Sequence, residues 1–120
     1  MTSTDNWNPT LDEVRAWGYD AEAWLSDQDE DLVLAAPQYI PVLVALALDA
    51  ACPKREVALQ YLNLYARDAL EWRSHLSELE VRAFLEAAQV LVRTEHAGLR
   101  KWAEYVIQKA EERLHRSPGT

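Results

Sequence analysis

Apolar side chains along this chain recur at intervals of three and four. No stretch sustains the alternation of a half-buried strand, so the pattern predicts helices throughout. Thr10-Leu11-Asp12-Glu13 is a capping-box pattern: Thr10 can accept from the amide three residues on, and Glu13 can reach back to the amide of Thr10. The helix it opens carries Val14 and Trp17 and is expected to stop at Gly18, where a left-handed residue costs little. Acids from Asp27 to Asp31 lead into Leu32-Val33-Leu34-Ala35-Ala36, a short second helix ended by Pro37. A third, from Gln38 to Ala50, is apolar nearly all round and reads as the central buried helix, with Pro41 in its first turn or kinking it. After a break at Ala51-Cys52, Pro53 is placed as the first residue of a fourth helix that reaches Trp72 or Arg73. Ser77-Glu78-Leu79-Glu80 is a second capping box and opens a fifth helix ending near Arg93. Leu99, Trp102, Ala103, Val106, Ile107, Ala110 and Leu114 form one face of a sixth, which starts between Thr94 and Gly98.

The third and fourth helices are written twice, 45 residues apart. Phe84 falls under Tyr39, Leu85 under Ile40, Leu91 under Leu46, Arg100 under Arg55, Ala103 under Ala58, and Val106-Ile107 under Tyr61-Leu62. A repeat of this kind implies helix pairs stacked side by side, an architecture that makes binding surfaces more often than catalytic pockets.

With Pro41 in the first helix, Asp49 at the turn, and Arg55 followed by Val57-Ala58-Leu59 in the second, residues 38–73 resemble a HEAT repeat. Residues 84–116 resemble it less closely, with Glu86 at the Pro41 position and Thr94 at the Asp49 position. The first copy departs as well, with Lys54 where a Val usually precedes the Arg. The resemblance implies that the turn Asp and the second-helix basic residue help to fix the stacking. It also implies that the fourth and sixth helices line one face, the third and fifth the other. A plain bundle of five or six helices fits the same pattern, and the sequence leaves both open. The expected fold is all-α, with five to six helices. Residues 1–36 form an acidic, aromatic N-terminal cap, 37–73 a first antiparallel hairpin and 77–116 a second. Two repeats are fewer than a solenoid usually needs, so the cap or a second copy must cover an end.

Charge changes this picture in one respect. The chain of 120 residues has a net charge of −8, and residues 1–31 hold nine acids against one base, Arg15, while the rest is balanced. Phosphate binding rests on Lys and Arg, so no nucleic-acid partner is expected; a basic protein surface suits the acidic segment better. The N-terminus has neither a basic residue nor an apolar run, so it does not read as a secretory signal, and the longest apolar stretch is shorter than the roughly 20 residues that span a bilayer. Together with the single cysteine, Cys52, this makes the cytoplasm the expected location and a membrane an unexpected partner.

Candidate chemistry is sparse. Asp27-x-Asp29-x-Asp31 imitates the start of a calcium loop, yet Leu32 stands where the loop needs Gly and Gln38 where it needs Glu. His75, His96 and His115 are far apart and form no ligand pair. Cys52 at a helix start reads as a small cap-position residue. No cofactor, metal or catalytic residue is therefore expected, and an enzyme whose site the sequence hides is the third-ranked reading. The binding candidates are the polar stripe Gln60, Asn63, Arg67 and Glu71 on the fourth helix, and the N-terminal aromatics Trp7, Trp17 and Trp24 among their acids, which would equally serve as a lid folded over the end of the bundle. They suit a protein–protein interaction module; an acidic inhibitor or immunity-type protein that neutralises a basic partner is the alternative. Self-association is expected where a two-repeat stack leaves an apolar end.

Overall fold

The computed structural model describes residues 8–25, 30–73 and 76–115, and among these it is helical, with no strand. The helices are α1 (Leu11–Gly18), α2 (Glu30–Val33), α3 (Ile40–Leu48), α4 (Arg55–Arg67), α5 (Glu78–Leu91) and α6 (Ala97–His115). A 3-10 turn, Pro37–Tyr39, leads into α3, and a π-helical turn, Asp68–Trp72, continues α4.

Helix α3 packs on α4 and α5 on α6; α3 also touches α5, and α4 touches α6. Helix α1 lies on α3 and α2 on α4. One apolar core runs through all of this, from Val14 and Trp17 through Leu43, Leu46 and Leu62 to Phe84, Trp102 and Val106. Its aromatic spine sets Tyr65 4.6 Å from Phe84 and Phe84 6.5 Å from Trp102. The buried Trp102 indole donates from Nε1 to Leu62 O at 3.0 Å, satisfying its one polar atom across the α4–α6 contact.

Positions 45 residues apart carry the same local work. Asp49 Oδ1 accepts from the amide of Ala51 at 2.9 Å, and Thr94 Oγ1 accepts from the amide of His96 at 3.4 Å. Arg55 Nε donates to Ala47 O at 2.8 Å, and Arg100 Nη1 donates to Thr94 O at 3.1 Å. Arg55 reaches back to the last turn of α3, where carbonyls lack partners within the helix, whereas Arg100 reaches only to the turn beyond α5. Tyr39 and Phe84, Leu46 and Leu91, and Ala58 and Ala103 are all buried.

Four local expectations need correction. Gly18 is the last residue of α1 but does not adopt a positive φ. Its small size is what matters, because a Cβ there would lie 2.6 Å from both δ-carbons of Leu46. Pro53 sits in the turn before α4, and Lys54 takes the N-cap position. The second capping box is only half made: Ser77 accepts from the amide of Glu80, whose carboxylate instead takes the Tyr65 hydroxyl at 2.7 Å and Arg73 Nη1 at 3.3 Å. The third helix begins as a 3-10 turn, in keeping with Pro37 and Pro41 four residues apart. Pro41 lies in the first turn of α3, as expected, and the Thr10–Glu13 box is complete.

Candidate interaction surface

Helix α4 packs its apolar side into the core through Ala58, Leu59, Leu62, Tyr65 and Ala66, and this leaves the opposite stripe in water. Glu56, Gln60, Asn63, Leu64 and Arg67 are exposed along it and, with Leu59 beneath, line an open depression of about 520 Å³. Gln60 and Asn63 each offer an amide donor and acceptor. Glu56 and Arg67 put opposite charges about 16 Å apart along the axis. An apolar floor under paired amides and end charges matches the mixed character of a protein surface.

The fourth member of the predicted stripe is displaced from it. Arg73 N bonds to Asp68 O at 3.2 Å, a five-residue step that widens the last turn of the helix. Arg113 on α6 stabilises that turn by donating to the carbonyls of Ala69, Leu70 and Arg73, groups that a helix end otherwise leaves without partners. The widened turn moves Glu71 off the Gln60–Arg67 line and into a smaller depression of about 290 Å³ with Trp72, Lys109, Glu112 and Arg113. There the carboxylate faces Tyr105, whose phenol is pushed up to about 12 by burial first and by Glu71 second. Trp72 projects from the same turn with 76 % of its surface exposed.

The N-terminal aromatics divide in a similar way. Trp17 is core, only 2 % exposed, with its ring stacked 6.0 Å from Tyr61, so it is withdrawn from the surface candidates. Trp7 lies outside the described residues, as do Asp27, Asp29 and His75. Trp24 is 78 % exposed, beside the exposed acids Asp20 and Glu22.

What holds the turn around Trp24 is a buried polar cluster that sequence reasoning missed. Lys54, 8 % exposed, donates to the carbonyls of Trp17 and Ala23, and its Nζ lies 4.4 Å from the Trp17 ring centroid. Burial pushes its ammonium below the usual lysine range. Glu30, 7 % exposed, accepts from the amide of Leu25 at 2.7 Å and from Tyr61 Oη at 3.1 Å. The Cys52 thiol donates to Gly18 O at 3.1 Å, so this buried cysteine acts as a local cap. Tyr19 Oη donates to Asp49 Oδ2 at 2.5 Å; that bond pushes the Asp49 carboxyl down and the Tyr19 phenol up. The one available signal was Lys54 itself, the residue that departs from the repeat pattern just before Arg55.

Among the described residues, no group of three or more His, Cys, Asp or Glu is placed to share a metal ion, and no helix is long and apolar enough to cross a membrane. Comparison with family models, with curated proteins and with solved structures finds no match to this chain.

Proposed function

We propose that this chain is a non-catalytic protein–protein interaction module of the cytoplasm, built from two stacked HEAT-like hairpins under an N-terminal cap, that engages its partner through the outer face of α4. The observation that carries the reading is the depression along α4, where Gln60, Asn63 and Arg67 stand exposed over Leu59 and Leu64 on one helix whose far side is locked in the core. A helix fixed in the core presents these side chains without a cost for ordering the backbone. The test is affinity capture from the source lysate with wild type and with Gln60→Lys/Arg67→Glu. A stoichiometric protein retained by the first and lost by the second supports the α4 face, provided helix content is unchanged. Equal retention by both removes it.

A second reading has its own support. The turn from Tyr19 to Leu25 is tied down by Lys54, Glu30 and Asp20, the last accepting from the amide of Glu22 at 3.1 Å, yet it leaves Trp24 in water among acids. An exposed aromatic on a turn that also exposes Asp20 and Glu22 suits an inhibitor or immunity-type contact with a basic partner. In that case capture weakens steeply with salt and is lost with Trp24→Ala, while Gln60→Lys/Arg67→Glu leaves it intact.

A further inference from the structure

Stacking positions can be compared between the two hairpins, because each residue of α4 has a counterpart 45 positions on in α6. In α4 the side turned toward the second hairpin is apolar. Leu59 is buried so close to the start of α6 that a Cβ on Gly98 would meet its Cδ2 at 2.7 Å. Leu62 offers its carbonyl to Trp102, and Ala66 is fully buried. The counterparts of these three in α6 are Glu104, Ile107 and Glu111, and both glutamates are exposed. The opposite sides of the two helices agree with each other. Tyr61 of α4 stacks on Trp17 in the cap, and its counterpart Val106 is buried in the shared core, as is Trp102, the counterpart of Val57. Each second helix therefore turns an apolar side to the segment before it, but only α4 turns one to a later hairpin.

We infer that the second hairpin is a terminal repeat, in which Glu104 stands where Leu59 meets the next hairpin and Glu111 where Ala66 is buried, and that the two prevent two copies of this chain from pairing through α6. A carboxylate carried into such a contact loses its hydration with no fixed cation to receive it, whereas leucine and alanine lose nothing. A polar outer face is also what a terminal repeat needs to stay in solution. The large apolar side chains exposed on α5, Leu79 and Val90, do not offset this. They stand about 16 Å apart along the axis, with Arg82 and Glu86 exposed between them. The inference rests on the stacked-hairpin reading proposed above but not on any partner.

Sedimentation equilibrium of the full chain tests it. Glu104→Leu/Glu111→Ala, which writes the α4 residues into α6, should keep wild-type helix content and raise the self-association constant at least about tenfold. Adding Gln108→Lys, on the exposed side of α6 between the two, should reverse the gain. A folded double variant that associates no more than wild type overturns the inference, and so does a gain that Gln108→Lys leaves in place. Should the double variant lose helix content, Glu104→Leu alone is read against the same outcomes. The result is independent of the α4 capture experiment, so either reading can fail without the other.

Discussion

Lys54, at the first turn of α4, donates its ammonium at 3.0 Å to the carbonyl of Trp17, 37 residues earlier in the chain. One side chain thus ends α1, stacks over its tryptophan and holds Ala23 in place. Replacement by methionine keeps the length of the stem but removes the donor to Ala23 O, leaves Trp17 O with only the backbone amide of Asp20, and takes the nearby cation from Glu30. Lys54→Met should cost about 2–4 kcal/mol in urea unfolding and should open the backbone around residues 19–25 to limited proteolysis before the rest. Uniform cleavage kinetics across the chain would contradict this role.

Gly18 separates two explanations for a helix-ending glycine. At a left-handed position asparagine is tolerated and alanine is not. Here the obstacle is Leu46, so Gly18→Ala and Gly18→Asn should each destabilise by about 1–3 kcal/mol. In a Leu46→Ala background, Gly18→Ala should become close to neutral. Thermal unfolding of the wild type and these four variants distinguishes the two accounts.

Arg55 and Arg100 stand 45 residues apart, each half-buried and each donating to one backbone carbonyl of the segment before its helix. Arg55→Ala and Arg100→Ala should therefore cost similar amounts, about 1–2 kcal/mol each, and their effects should add in the double variant because they sit at different turns. Chemical denaturation of the three variants measures both the costs and their sum.

Stability should decline at both ends of the pH scale for identifiable reasons. Tyr105, raised to about 12 in the fold, keeps its proton after an unfolded tyrosine, ionising near about 10, has lost it. Its contribution is full below the unfolded value and is lost as pH climbs toward the folded one; Tyr65, raised through burial and Glu80, acts in the same direction. Tyr105→Phe should flatten the loss between about pH 10 and 12. Asp49 has the opposite sign: its folded carboxyl is depressed, so its contribution is present above the ordinary aspartate range and lost as pH falls through the folded value. Asp49→Asn should make the acid limb shallower, as followed by far-ultraviolet circular dichroism.

Features that depend on a few neighbouring residues were legible in the sequence. The Thr10–Glu13 box, the Ser77 cap and the helical periods of α4, α5 and α6 need little beyond a few turns of chain. Features that depend on distant partners were not. Gln60, Asn63 and Arg67 share the predicted stripe because α4 is regular there. Glu71 leaves it because Arg113, more than forty residues away, satisfies the carbonyls of a widened turn. Trp17 could be read as a surface anchor among acids or as part of a lid over the bundle, and its burial under Tyr61 and Lys54, more than thirty residues away, removes the first. Helical spacing alone could not have placed a lysine inside.

The cluster around Lys54 also sets an order of events during synthesis. The residues that hold the N-terminal quarter in place — Asp49, Cys52, Lys54 and Tyr61 — all come later in the chain. At about 5–20 residues per second, Leu25 waits roughly 2–7 seconds after its own addition before Tyr61 is even joined to the chain. During that interval Trp17 and Leu25 have no core to enter. The nine acids of residues 1–31 would keep this stretch hydrated and mutually repelled until its anchor arrives. The charge gathered at one end of the chain then serves the nascent protein before it serves any partner.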